Sequence, residues 1–254
     1  VLSVVVEQVI LGLVKWMFAG LQRHVVGGKI CKENSCNGHR NEIKGDGVDA
    51  IGAAIDLSNV CFSYNKGVDE ELINDLSLHI PAGDRVCIMA PSGTGKTTLL
   101  NLLTGGLKPD SGIVSFEVDT GDGVSISMVF QEDRLCSEYT AAYNIALGLK
   151  RGCRKTDLIQ SHLEQLGMDE SIFADVKELS GGMKRRVAIV RAVMSPSRVL
   201  ILDEPFASLD EELKDRTAEY IIENLNGRTL VVVSHDEKDA ERLNARILPN
   251  LIQP

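Results

Sequence analysis

The feature that most constrains this chain is a glycine-rich turn between an apolar run and a helical pattern. Residues 85–90 read as a short buried strand and residues 97–103 as the start of a helix. Between them stands Ala90-Pro91-Ser92-Gly93-Thr94-Gly95-Lys96-Thr97-Thr98. Successive backbone N–H groups in such a turn converge on an anion, and glycine permits both the conformation and the close approach. The helix start adds partial positive charge. Lys96 is placed to reach the outer phosphates of a nucleotide, and the Thr97 hydroxyl is placed to ligate Mg²⁺. The usual pattern opens with glycine where this chain has Ala90, so the residue there must keep a negative φ, as a strand end does.

A second element supplies acid groups. The run Val199-Leu200-Ile201-Leu202 delivers Asp203 and Glu204 at the end of a buried strand, where ligands of open α/β sheets bind. Asp203 suits Mg²⁺, directly or through water, and Glu204 suits a general base that polarises an attacking water. Further strands read at 57–64 and 76–80, around a polar turn at 66–70, and at 230–233. Helical patterns lie between the later strands, which predicts a largely parallel α/β sheet covered on both faces.

The third element is Leu179-Ser180-Gly181-Gly182-Met183, ahead of a helix with Val187, Ile189, Val190 and Val193 at apolar positions. Ser180 can cap that helix, and the two glycines leave bare N–H groups for an anion. With this loop the chain resembles the ATP-binding-cassette (ABC) ATPases over residues 55–248. Met183, where most members have glutamine, and the stretch Phe130-Gln131-Glu132-Asp133-Arg134-Leu135 resemble the nitrate, sulfonate and taurine importer branch.

The resemblance implies a P-loop NTPase fold: an ABC-type ATPase core with an antiparallel β subdomain and a helical signature subdomain at about 132–180. It implies ATP and Mg²⁺, with ATP held by Tyr64, stacked on adenine, and by Ser92, Gly93, Thr94, Gly95, Lys96, Thr97 and Thr98. Gln131 would contact the metal with Thr97 and Asp203, and would sense the transporter. His235 would contact the γ-phosphate beside the base Glu204. Ser180, Gly181 and Gly182 would act on the nucleotide of a second ATPase domain, a homodimer being the simplest arrangement, with Asp210 of the Ser208-Leu209-Asp210 loop at that interface. The remaining partners implied are membrane permease subunits and, indirectly, a solute-binding protein, at the cytoplasmic face of the plasma (inner) membrane. Residues 132–180 should be mostly helical and should dock against the permease, with the coupling in 132–149. The activity implied is ATP hydrolysis driving import of nitrate-, sulfonate- or taurine-type solutes. An exporter ATPase shares every motif, and a soluble non-transport ABC ATPase is the third alternative.

The rest of the chain adds boundaries. Residues 1–26 are apolar, with Ser3, Glu7, Gln8, Lys15 and Gln22 on one helical arc of roughly 140°. Three readings stay open for them: a membrane span, which Glu7 and Lys15 interrupt, an amphipathic helix at a membrane, or an ordinary core helix. In the second, 1–26 is the tail of a fused permease, and the basic excess that follows is its cytoplasmic flank. Residues 27–54 lose apolar periodicity and read as a flexible linker, and 55–254 as the ATPase domain. A formal charge of −9 argues against a nucleic-acid partner. The scattered cysteines read as reduced thiols, and Cys31, Cys36 and His39 match no standard zinc spacing.

Overall fold

The computed structural model describes residues 52–64, 72–89, 94–118, 124–149 and 156–249. The apolar N-terminal segment, the polar turn at 66–70, the Cys31/Cys36/His39 group and residues 27–51 of the expected linker lie outside the described residues; the last residues of that linker are folded instead, with Ala53 fully buried and Ala54 opening the first strand.

The strands are β1 (Ala54–Phe62), β2 (Ile73–Ile80), β3 (Arg85–Met89), β4 (Ser111–Glu117), β5 (Ile126–Val129), β6 (Val199–Asp203), β7 (Thr229–Ser234) and β8 (Arg246–Pro249). The helices are α1 (Lys96–Leu103), α2 (Ala141–Ala146), α3 (Thr156–Gln165), α4 (Gly181–Met194), α5 (Glu211–Glu223) and α6 (Glu237–Arg242). Strands β2-β1-β4 form an antiparallel sheet, and β5-β6-β7-β3-β8 form a five-stranded parallel one. The expected α/β core with its antiparallel subdomain is therefore present.

The inner parallel strands are mostly apolar because both faces are covered, and their period of two sorts them. Val86, Ile88, Val199, Ile201, Val231 and Val233 face a core shared with the antiparallel sheet and the leucines of α1. Cys87, Leu200, Leu202, Leu230 and Val232 face the opposite way, against α4 and α5. Fully burying each such side chain stabilises by about 1.5–3 kcal/mol relative to leaving it exposed. Cys87 behaves as a hydrophobe here: burial first, then the charges of Asp239 and Glu204, push its thiol up to about 12.

In β1 the register shifts between Ser58 and Cys61 against β4, and Asn59 takes φ 48°. Gly112 lies against this bulge at φ 80°, and a Cβ there would sit 2.2 Å from the Asn59 carbonyl oxygen. No side chain fits. A bulge of this kind bends its strand, and Tyr64 stands two residues beyond the end of β1.

Residues 132–180 are less helical than the resemblance implies. Their described part holds two short helices, α2 and α3, and two single 3-10 turns at Asp169–Ser171 and Val176–Glu178. Gly148 and Gly167 interrupt it, the latter at φ 66°. Ile145, Ile159, Leu163, Leu166 and Val176 anchor these pieces on the same core as α4.

Candidate functional site

All five parallel strands run the same way, so the ends of β3, β5, β6 and β7 open on one edge. The chain reverses its placement between β3 and β5, with β7 beside β3, which leaves a crevice at that edge. A cavity of about 340 Å³ lies there. Tyr64, Leu72 and the turn Gly95-Lys96-Thr97-Thr98 line one side, and Gln131, Asp203 and Glu204 the other.

Gly95 caps α1 at φ 96° with no side-chain acceptor for the first-turn N–H groups, and no acidic residue occupies that turn. Those donors have no intrahelical partner by construction, so they are available to an anion. A Cβ at Gly95 would combine that φ with a 3.1 Å approach to Leu72, which explains the glycine. Thr98 is buried and its hydroxyl lies 3.0 Å from the Tyr64 hydroxyl; Tyr64 itself stands 61% exposed, edge-on to Phe62. Ala90, Ser92 and Gly93 lie outside the described residues, so the backbone conformation expected of Ala90 does too. Thr94 opens the described part of the turn.

Charge meets at Glu204. Lys96 Nζ donates to Glu204 Oε1 at 3.3 Å, and His235 Nδ1 lies 3.0 Å from Oε1 and 2.9 Å from Oε2. The Glu204 hydrogen bond and charge raise the His235 imidazole above its ordinary value. Glu204 takes φ 47°, a left-handed conformation costing a side chain about 1–2 kcal/mol, and backbone strain of this kind gathers at reactive sites. Asp203 is buried at the end of β6. Burial pushes its carboxyl up and the Glu204 charge adds to this, while Arg185, Lys96 and the Gln131 backbone N–H oppose it.

The two glycines that open α4 do not line this cavity. Ser180 caps the helix, accepting from the Met183 N–H at 3.3 Å, as its sequence position predicts. Asp210 likewise caps α5, accepting from the Leu213 N–H at 2.9 Å. The two caps are adjacent: a Cβ on Gly182 would meet the Ser208 carbonyl at 3.0 Å and Leu209 at 3.3 Å. Ser180, Gly181, Ser208 and Asp210 are exposed. The chain thus gathers Tyr64, Thr98, Lys96, Gln131, Asp203, Glu204 and His235 at one edge and leaves Ser180, Gly181, Gly182 and Asp210 on another surface patch.

Sequence reasoning passed over three residues that hold the site together. Asn144, fully buried in α2, accepts from the Cys136 N–H at 2.7 Å and donates to the carbonyls of Cys136 and Thr140 at 3.0 Å. Arg191 donates to the carbonyls of Asp133 at 3.0 Å and Arg134 at 2.9 Å, and burial lowers its pKa to about 10. Arg185 is buried between the segments after β5 and β6. The available signal was three arginines, Arg185, Arg186 and Arg191, on a helix whose other interior positions are Val, Ala and Ile.

A second cavity, of about 330 Å³, lies between α3 and the ends of α4 and α5, lined by Leu149, Leu158, His162 and Met194 among others. Its titratable group, His162, has its pKa lowered by burial and shares a hydrogen bond with Tyr220. No charges converge there, unlike the strand-end cavity. Among the described residues no cluster of His, Cys, Asp and Glu could hold a metal, and no helix is long and apolar enough to cross a membrane.

Comparison with known proteins agrees with this geometry. The family profile described as "ABC transporter" matches residues 73–207. The thiamine import ATP-binding protein ThiQ of Chelativorans sp. (strain BNC1) is 35% identical over 210 residues, covering 78% of this chain and 83% of its own length. ThiQ of Escherichia coli (strain K12) is 38% identical over 183 residues, covering 67% and 78%. Among solved structures, the ATP-binding cassette MJ0796, a dimer in a post-hydrolysis state bound to ADP and Pi, superposes with a TM-score of 0.66 at 30% identity, covering 77% of this chain and 93% of its own. The fold, the strand-end site and these matches agree, and the chain belongs to the ATP-binding, ATP-hydrolysing proteins of the ABC transporter family.

Proposed function

We propose that this chain is the ATPase of a solute importer and that its strand-end cavity is the ATP site. The observation that carries the proposal is the convergence of Lys96, Glu204 and His235 at the mouth of that cavity, beside the open N-terminus of α1. The triphosphate would lie over the first turn of α1 with its outer phosphates on Lys96, and with Ser92, Gly93 and Thr94 completing the cradle. Tyr64 is exposed enough to carry the adenine. Glu204 would take a proton from a water that attacks the γ-phosphorus. The bond to the β–γ bridging oxygen then breaks, releasing ADP and phosphate. His235 would steady the γ-phosphate and the carboxylate together.

The donors available for a metal are the Thr97 hydroxyl, the Gln131 amide and the Asp203 carboxylate, all hard oxygens suited to Mg²⁺. One carboxylate is too little for a resident ion, so Mg²⁺ would arrive with the phosphates, where it neutralises charge on their oxygens.

Ser180 and Gly181 are exposed, Gly182 is partly so, and none of them lines the cavity of their own chain, which suits a head-to-tail homodimer in which each closes the partner's nucleotide, with Asp210 at the seam. The surface of 132–149 would meet a permease on the cytoplasmic face of the membrane, residues 1–26 being the tail of such a permease and the residues from 27 up to the buried start of the ATPase domain at Ala53 a linker. Solute identity is coarser. The relatives at 35% and 38% identity are named for thiamine import. They favour import over export, and they lend nothing to nitrate, sulfonate or taurine, for which only Met183 and the Phe130–Leu135 stretch speak.

The test is nucleotide binding and phosphate release by the chain and by Lys96→Ala. Loss of ATP affinity by about tenfold or more, with the fold intact by circular dichroism, is expected. Unchanged affinity would remove the cavity as the ATP site.

A further inference from the structure

Arg185 is the fifth residue of α4 and is 2% exposed. Its planar guanidinium reaches two separate loops. On one side Nη1 donates to the Phe130 carbonyl at 2.6 Å and to Asp133 Oδ1 at 3.1 Å. On the other, Nη2 donates to the carbonyls of Asp203 at 2.5 Å and Glu204 at 2.6 Å, and Nε to that of Pro205 at 3.1 Å. The first loop carries Gln131, and the second carries Asp203 and Glu204.

The Glu204 peptide is also held from behind, because its N–H donates to the Val233 carbonyl at 2.9 Å. A residue at φ 47° keeps that conformation only where its surroundings over-determine it. Here β7 fixes the N–H and Arg185 fixes the carbonyl. Lysine cannot do the same work: an ammonium is a point donor, while a guanidinium presents its N–H groups as a rigid fork.

We infer that Arg185 is a positioning residue of hydrolysis, one that sets the Glu204 carboxylate against the Gln131 loop and ties both to the helix begun by Ser180-Gly181-Gly182. It touches no reacting atom and acts through Glu204. The inference rests on reading Glu204 as the general base. It assigns to one buried side chain the link between a chain's own hydrolytic residues and the helix start that faces the partner's nucleotide.

The test is a double-mutant cycle on the full chain, with Arg185→Lys, Glu204→Gln and the two combined. Single-turnover hydrolysis, binding of a non-hydrolysable ATP analogue and thermal melting are measured on each, well below the melting temperature. Arg185→Lys is expected to lower the hydrolysis rate about tenfold or more while analogue affinity stays within about threefold. In the Glu204→Gln background the same change should cost less than about threefold, because both act through one carboxylate. A merely structural role would lower the melting temperature and leave the rate alone, or would cost the same factor in both backgrounds. Either result overturns the inference while Glu204→Gln stays inactive. Normal turnover by Glu204→Gln would instead overturn the general-base reading, and the inference with it. Should Arg185→Lys fail to melt cooperatively, Arg185→Gln, neutral but still a donor, carries the same comparison.

Discussion

Replacing Glu204 by glutamine should change binding and turnover in opposite directions. Without nucleotide, Lys96 Nζ lies 3.3 Å from Glu204 Oε1, with only 12% and 14% of the two side chains exposed. At an effective dielectric of about 20, that separation gives about 5 kcal/mol of gross Coulomb attraction. Desolvation takes most of it back, leaving about 1.5–3 kcal/mol for a charge-assisted hydrogen bond. A phosphate must draw Lys96 away from this partner. Glutamine keeps the shape and removes the competing charge, so Glu204→Gln should bind ATP about tenfold more tightly, or about 1.4 kcal/mol. Because the pair is largely shielded from solvent, the gain should persist at high salt. Turnover should fall about 10²- to 10⁴-fold with loss of the base. Calorimetric titration with ATP in EDTA, at two ionic strengths, measures the first effect, and phosphate release with Mg-ATP the second. Unchanged or weaker ATP affinity would refute the competition for Lys96, and turnover within threefold of the parent would refute Glu204 as the base.

Two further outcomes follow from the supports of the site. Asn144→Ala removes the acceptor of the Cys136 N–H and the donor to two buried-side carbonyls, so urea denaturation should show a loss of about 2–3 kcal/mol; a loss under about 0.5 kcal/mol would contradict that bookkeeping. His235 should titrate above 6.5 in a nucleotide-free NMR series and move back toward 6.5 in Glu204→Gln, since the Glu204 hydrogen bond and charge raise it. With a raised folded value, the stabilisation is fully present below pH 6.5 and is lost as pH rises through that value; it is small, because the ring is 71% exposed. A titration at or below 6.5 would show that the pair does not form in solution.

The sequence was most legible where one period or one turn dominated. Residues 199–203 and 229–234 are apolar runs ending in polar residues, and both became central strands with their site residues at the C-terminal end. The end of the glycine turn was equally readable, since Gly95 needs its left-handed φ whatever surrounds it. Ser180 was legible as a cap for the same local reason, whereas the cap that Asp210 forms on α5 was not read from the chain. Short or two-faced elements were not. Strand β5 is four residues long, too few to reveal a period, and β4 leaves Ile113 exposed. Helices were expected across 132–180, yet the chain spends much of that segment on turns at Gly148 and Gly167 and on loops held by Asn144 and Arg191. The burial of Arg185 and Arg191 could not be read from the chain. It depends on carbonyls 18 to 58 residues away meeting one helix face, and charge alone argues for a solvated position.

In the proposed head-to-tail dimer, ATP bound at Lys96 is closed by Ser180 of a second copy. Sedimentation of Glu204→Gln with Mg-ATP tests it most directly, with and without the added change Ser180→Arg. The expected result is a dimer of 27.6 kDa chains with ATP, monomers without it, and monomers that still bind ATP once Ser180→Arg is present. A chain that stays monomeric at saturating ATP, or a dimer indifferent to Ser180→Arg, would contradict it.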